Sequence, residues 1–424
     1  MAVPTVQILS KQDFTQQHIV PLPNALPLPP LAPSSVRVKT SIFSLTANNT
    51  TYAKIGYMLG WWDVHPLPAS TPPEFQDADK FGRISAWGFG AVEESTYDGL
   101  PVNSYVWGYL PIGTLPVDLT LSPDPEVPNR VLECSPARAK QFPVYNMYTT
   151  YLPEQAASIS QERMGWDSLL KVLFKTSFGL NRFVLAWDES NLVQPFPAGP
   201  NPLWTMEQAN VTDSVVIQLA GSGKTALALA HQLKFARPPA SRPRKVIAVT
   251  SSAKSKAFVE ATGYYDLVWL YDDIKSTGAI DNAEISTVLD NRTKVVLCDF
   301  GSRGSALVTW LTTLKSLAKS VVLLGVGSEP KAATHQELEQ KQAGAFAAGM
   351  VMTNASDVFS GAQKILGGEK FAQDFSKSWD EFVKAGAIPG MQLEFGYGME
   401  AVGKAWDKLC VDGVGPETGL VFKV

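Results

Sequence analysis

The sequence predicts an α/β protein of two parts, an antiparallel β barrel or sandwich and then a doubly wound parallel sheet. Three observations carry this. The first part holds short β-like runs among frequent Pro and Gly, the second alternates β-branched runs with helical stretches, and the character changes near residue 185. Short strands with frequent turns are typical of antiparallel barrels and sandwiches. Continuous apolar strands alternating with helices imply a parallel sheet covered on both faces. A length of 424 residues also exceeds one typical core, so two domains are expected.

The elements follow in chain order. Residues 21–33 are dense in proline and predict an extended connector, since Pro fixes φ and donates no hydrogen bond. Residues 36–43, 84–92 and 104–110 read as strands. Residues 154–178 predict a helix bridging the halves, with Met164, Trp166, Leu169, Leu170, Val172 and Leu173 at helical spacing. Buried strands are then expected at 214–219, 245–250, 267–271, 294–298 and 320–325. Helices fall between them at 225–235, at 253–262 before Gly263, and at 304–317.

Composition excludes several classes. The chain is 45% hydrophobic and 18% charged, as suits a globular protein, and its net charge of -4 gives no reason to expect nucleic acid or an anionic membrane. Three well-separated cysteines argue against a disulfide framework and fit a reducing compartment. The first residues do not read as a signal peptide, and no apolar run approaches the roughly 18 residues needed to span a bilayer. A soluble cytoplasmic protein is the expectation.

The loop after the first parallel strand carries the cofactor argument. Gly221, Gly223 and Ala226 match G-x-G-x-x-[GA], with Ser222, Lys224 and Thr225 between them. In a dinucleotide site the first glycine makes the tight turn, and the second lets backbone approach the pyrophosphate. The third position lets helix pack on strand, while the helix N-terminus faces the phosphates. A phosphate-hydrolysing P-loop is the competing reading, supported by Gly223-Lys224-Thr225 and by Asp299 as a Mg²⁺ ligand. Its leading glycine is replaced by Gln218, which removes the backbone wrap such a loop needs. A carboxylate at the end of the second strand would mark NAD. This chain has Ser251, Ser252, Lys254 and Lys256 there, hydroxyls and ammonium groups suited to the 2′-phosphate of NADPH. Ser252 also reads as a helix N-cap.

With these residues in view the chain resembles the medium-chain dehydrogenases/reductases, and within them an uncharacterised microbial domain-of-unknown-function branch. The matching stretches are Leu45-Thr-Ala-Asn-Asn-Thr-Thr-Tyr-Ala53, Trp87-Gly-Phe-Gly90, Trp107-Gly-Tyr-Leu-Pro111, Pro143-Val-Tyr-Asn-Met-Tyr148, Leu173-Phe-Lys-Thr-Ser-Phe178 and Gly223-Lys-Thr-Ala226. The resemblance implies a GroES-like β-barrel domain over 1–183 and 364–424 and a Rossmann domain over 184–363. The active site would lie between them, with residues 399–424 returning to the barrel. It also implies a homodimer joined through a sheet edge, for which strand 320–325 is the candidate.

Zinc enzymes of that group use Cys/His sets. The three cysteines and four histidines here show no metal-ligand spacing, so no metal is expected. Zinc-free members line the cleft with a polar segment ending in Gly-x-Tyr. The matching segment runs from Asn48 to Tyr57 but has Thr51 where the acid would stand, and Tyr57 follows Gly56 directly. It nominates Tyr52 as proton donor, Asn49 as substrate-orienting residue and Tyr57 as second donor. A buried tyrosine or a turn asparagine satisfying local backbone is the structural alternative for each. Phe300, Gly325 and Gly327, at carboxyl ends of parallel strands, would approach the nicotinamide. The expected activity is NADPH-dependent, metal-independent reduction of an activated C=C or a ketone in a hydrophobic small molecule. An isomerase or dehydratase working without redox turnover, motivated by the unusual Lys224, and a non-enzymatic NADPH sensor are the alternatives.

Overall fold

The computed structural model describes residues 2–201, 203–329 and 335–424. Its first sheet is a closed barrel. Strands Ser35–Leu45, Ser85–Ser95, Tyr105–Pro111, Met147–Tyr151, Arg130–Glu133 and Val117–Pro123 pair in that order, and Val117–Pro123 pairs back onto Ser35–Leu45. Closure leaves these strands no free edge. An ion cluster around the buried Arg37 marks the closing seam. Arg37 on Ser35–Leu45 sits opposite both Glu94 and Asp118 in register, and its guanidinium holds Asp118 through two bonds of 2.8 and 3.0 Å and Glu94 through one of 2.8 Å. Planar two-point pairing of this kind fixes geometry as well as energy. The C-terminal strands Gln392–Tyr397 and Thr418–Lys423 extend the same sheet, the latter antiparallel to Ser35–Leu45. The chain therefore returns to the barrel after the second sheet.

The second sheet is wholly parallel. Its order is Leu267–Leu270, Lys245–Thr250, Val215–Leu219, Lys294–Phe300, Ser320–Gly327, Val351–Met352. Numbered along the chain this is 3-2-1-4-5-6, the dinucleotide-binding order, with its switch point between the first and fourth strands. Every residue of Val215–Leu219 is buried, as a central strand covered on both faces requires. The fold is thus a GroES-like β barrel joined to a Rossmann sheet, the α/β architecture expected above.

Two elements differ from the sequence reading, and one helix is absent from it altogether. The bridging helix is two helices, Pro153–Ser158 and Gln161–Gly179, because Ser160 interrupts the run and caps the second one through its hydroxyl on the Arg163 N–H. Residues 47–59 form a helix, Ala47–Leu59, opened by a capping box between Thr46 and Asn49. Strand Ser320–Gly327 is not the sheet edge, since Val351–Met352 pairs with it at Leu324 and Gly325. Residues 21–33 hold no regular element beyond Pro21, in keeping with a connector.

Candidate functional site

The glycine loop is shaped by contact with the neighbouring strand. Gly221 donates to the Val249 carbonyl at 3.0 Å, and a Cβ on it would stand 2.6 Å from the Ala248 Cβ and 2.9 Å from the Ala248 Cα. Only glycine fits there. Gly223 is different. It caps helix Lys224–His231 in an extended conformation open to any residue, and a Cβ would meet only the Ala220 carbonyl, at 3.1 Å. The space over Gly223 is the kind of approach a pyrophosphate needs. The Tyr265 hydroxyl braces the turn, 2.9 Å from Gln218 Oε1 and 2.8 Å from the Gly221 carbonyl. Ser222 Oγ accepts from the Thr250 hydroxyl at 3.2 Å, tying the loop to the second strand. The Thr225 carbonyl accepts from Ser177 Oγ at 2.8 Å, tying it to helix Gln161–Gly179. Lys224 is half-buried, and burial lowers its pKa to about 8 against the opposing pull of Glu417.

The four residues nominated at the second strand's end separate into two pairs. Ser252 caps helix Ala253–Thr262 by accepting from the Ser255 N–H at 3.2 Å, and Lys256 donates to the Val268 carbonyl at 2.6 Å. Both are engaged in local structure. Lys254 extends into solvent and pairs with Glu417 at 2.6 Å. Ser251 Oγ accepts from an Arg303 N–H at 3.1 Å, and Arg303 also pairs with Asp412. Arg303, in the loop after Lys294–Phe300, is thus a cation of this corner that the sequence did not reveal. Asp412 and Glu417, from the last loop, lay two carboxylates against its cations.

Phe300, Gly325 and Gly327 lie together at adjacent strand ends: Asp299 registers with Gly325, and Phe300 with Gly327 across an irregularity. Close packing explains both glycines, since a Cβ would meet Met352 and Met350 sulfurs at 2.5 and 2.6 Å in one case and the Phe300 carbonyl at 2.6 Å in the other. Asp299, weighed above as a Mg²⁺ ligand, is buried and accepts from the backbone N–H groups of Gly301 and Ser302 at 3.0 and 2.7 Å. Burial nonetheless raises its pKa. Among the described residues no group of three or more His, Cys, Asp or Glu side chains is placed to hold a metal ion.

Helix Ala47–Leu59 carries the nominated catalytic residues. The structure places Tyr52 inside an aromatic cluster, its ring 4.7 Å from Trp61 and 5.2 Å from Tyr109, with its hydroxyl accepting from Trp87 Nε1 at 2.9 Å. Burial raises its pKa to about 12. Asn49 is spent on structure: its Oδ1 caps the Thr46 N–H at 2.8 Å and its Nδ2 donates to the Ser85 carbonyl at 3.1 Å. Tyr57 is 42% exposed. Tyr52 and Asn49 spend these hydrogen bonds within the barrel, on Trp87, Thr46 and Ser85. Lys54 instead reaches the ends of the parallel strands. It is buried, and its ammonium donates to the Glu329 carbonyl just beyond Ser320–Gly327. Burial lowers its pKa to about 8. It sits within the segment the sequence singled out, but no motif marks a lysine there. Among the histidines, His65 is buried against Arg138 at 3.0 Å, with burial, Arg138 and Arg83 all lowering its pKa. His231 packs among Phe235, Tyr264 and Phe382.

A closed barrel, a 3-2-1-4-5-6 sheet and a glycine turn at its switch point define the two-domain architecture of the medium-chain dehydrogenases/reductases. The chain belongs to the family described as "Protein of unknown function (DUF2855)", whose model matches residues 43–415. No curated protein matches its sequence. Solved structures with the same fold include CurA of Vibrio vulnificus in complex with NADPH, 11% identical, covering 99% of each chain with a TM-score of 0.55. A mutant enoyl thioester reductase of Candida tropicalis is 10% identical, covering 100% of both chains with a TM-score of 0.56. A quinone oxidoreductase of Pseudomonas syringae is 15% identical, covering 99% of each, with a TM-score of 0.52. No helix among the described residues is long and apolar enough to cross a membrane.

Proposed function

We propose that this chain is an NADPH-dependent, metal-independent reductase of an activated C=C or a ketone in a hydrophobic small molecule. The carrying observation is the glycine turn. Gly223 stands open at the first strand's end, at the switch point where such sheets bind dinucleotides. We assign residues 1–183 with 364–424 to the barrel unit and 184–363 to the dinucleotide unit.

The residues present fit the cofactor. Gly221 and Gly223 would admit the pyrophosphate, with the N-terminus of Lys224–His231 and the Lys224 ammonium supplying positive potential. Arg303, Lys254 and Ser251 would hold the 2′-phosphate. When bound, NADPH supplies the hydride. The chain's own part in the reaction is then to stabilise charge on the substrate oxygen and to deliver a proton. We assign this to Lys54 rather than to Tyr52. Lys54 reaches the strand ends, and a pKa of about 8 lets it hold a proton near neutrality and release it to an enolate. Tyr52 would act through position, holding Trp87.

Fluorescence titration with NADPH and NADH tests the reading. Binding of NADPH at least about tenfold tighter than NADH supports it, and Arg303→Ala should narrow that gap. Absence of binding by either dinucleotide overturns it. Turnover that consumes NADPH one for one would dismiss the isomerase or dehydratase alternative.

A further inference from the structure

A cavity of about 250 Å³ lies behind the bridging helix, between the barrel and helix Gly368–Lys384. Trp87, Trp107 and Tyr151 form its barrel wall, Phe371, Phe375 and Trp379 the wall opposite, and Lys171 and Lys175 stand between them on one face of Gln161–Gly179. The face opposite belongs to the dinucleotide loop. Ser177, two residues on from Lys175 and so about 200° around the helix, bonds Thr225 there. The cavity therefore lies across the helix from the dinucleotide loop and shares with the barrel's aromatic cluster only the Trp87 ring.

Its charges do not balance. Lys171 pairs with Asp167 at 3.2 Å, Arg163 with Asp167 at 2.6 Å and Asp380 at 2.7 Å, and Arg130 with Asp124 at 2.7 Å. Lys175 has neither an ion-pair partner nor a hydrogen bond among the described residues; its ammonium lies over the Phe359, Phe371 and Phe375 rings at 4.6, 5.5 and 5.6 Å. Four cations face three carboxylates, a surplus of one. An uncompensated ammonium in an apolar pocket is costly. Burial and the nearby Arg130 and Lys171 lower the Lys175 pKa to about 7.

We propose that this cavity is a binding site for a small aromatic monocarboxylate, whose carboxylate pairs with Lys175 and whose ring packs between the tryptophan and phenylalanine walls. The volume lies just below the roughly 300–1,000 Å³ of drug-sized pockets, so the ligand is small. The Arg163–Asp380 pair, with Asp380 59% exposed, marks the solvent side. The proposal does not rest on the reductase reading.

Benzoate is the probe, titrated by calorimetry against the full chain without dinucleotide. Benzoate should bind at least about tenfold tighter than benzyl alcohol, its neutral analogue, because a charge-assisted bond forms only with the anion. Lys175→Met, which keeps length and apolar bulk, should weaken benzoate by about tenfold or more while leaving benzyl alcohol within about twofold. Wild-type titration supplies a second readout that needs no variant. The charges around Lys175 are Arg130 with its partner Asp124, Lys171, Arg163, Asp167 and Asp380, with Tyr151 beside them; burial, Arg130 and Lys171 lower the Lys175 pKa. Benzoate should therefore draw a proton onto Lys175, and affinity should fall as pH rises above about 7. Failure of benzoate to bind, equal binding of benzyl alcohol, or pH-independent binding between 6 and 9 would overturn the proposal.

Discussion

Gly221 and Gly223 are two residues apart, yet alanine at each should fail in a different way. At Gly221 the new methyl would sit 2.6 Å from the Ala248 Cβ and 2.9 Å from its Cα, with the Gln218 carbonyl at 3.0 Å. Two of these three atoms are backbone, so the loop itself must shift. Overpacking of this kind costs about 1–3 kcal/mol, and the loss should appear in the protein without ligand. At Gly223 the backbone has φ -68° and ψ 145°, comfortable for alanine, and the single close atom is the Ala220 carbonyl at 3.1 Å. Replacing Gly where alanine fits reduces unfolded-chain entropy by about 0.4–1 kcal/mol, which offsets the mild contact. Gly223→Ala should therefore stay within about 0.5 kcal/mol of the parent. Its methyl would instead project where the pyrophosphate must approach, and a loss of at least about tenfold in NADPH affinity, about 1.4 kcal/mol, is expected. Urea unfolding measures the first effect and nicotinamide fluorescence the second. Equal stability of Gly221→Ala and the parent would refute the steric argument. Unchanged NADPH binding by Gly223→Ala would refute the placement of the pyrophosphate.

Glu417→Gln removes a carboxylate from Lys254 and from the neighbourhood of Lys224, and should tighten NADPH about twofold to fivefold, the yield of an exposed pair worth up to about 1 kcal/mol; weaker binding would show that Glu417 serves the site. Tyr52→Phe leaves the buried Trp87 indole N–H without its acceptor, so unfolding stability should drop by about 1–3 kcal/mol. An unchanged urea midpoint would remove the positioning role. Lys224 and Lys54 both have pKa values lowered to about 8 from 10.5 by burial. Between those values the unfolded chain binds more protons than the folded one, so stability should rise with pH across that window. Lys54→Met should flatten the rise in urea midpoints, and a slope that survives both Lys54→Met and Lys224→Met would assign it elsewhere. NADPH affinity should fall as pH passes above 8, where Lys224 gives up its charge, a decline that Lys224→Met should abolish in equilibrium titrations.

How far the sequence spoke depended on what each element rests upon. The parallel strands were legible because a buried central strand such as Val215–Leu219 must be apolar along its whole length. Helix Ala47–Leu59 was not, because Asn48, Asn49, Thr50 and Thr51 have poor helix propensity, and the helix depends on its capping box and on tertiary burial of Tyr52 and Lys54. The short strand Val351–Met352, only two residues long, carries no periodicity, which is why Ser320–Gly327 looked like an edge. In the site, the glycine turn announced itself through spacing. Arg303 did not, since only the sheet order brings the loop after the fourth strand beside the end of the second. Lys254 and Lys256 looked equivalent as letters but point to different partners, Glu417 and the Val268 carbonyl.

The bridging helix has one further consequence. Its Ser177 hydroxyl is bonded to the glycine-loop helix, while Lys171 and Lys175 line the rear cavity. One rigid rod thus touches two compartments. Should a molecule in the cavity alter dinucleotide affinity by some factor, the dinucleotide must alter that molecule's affinity by the same factor, because both belong to one thermodynamic cycle. A single helix then makes the two occupancies report on each other, and a titration at either end measures the stiffness between them.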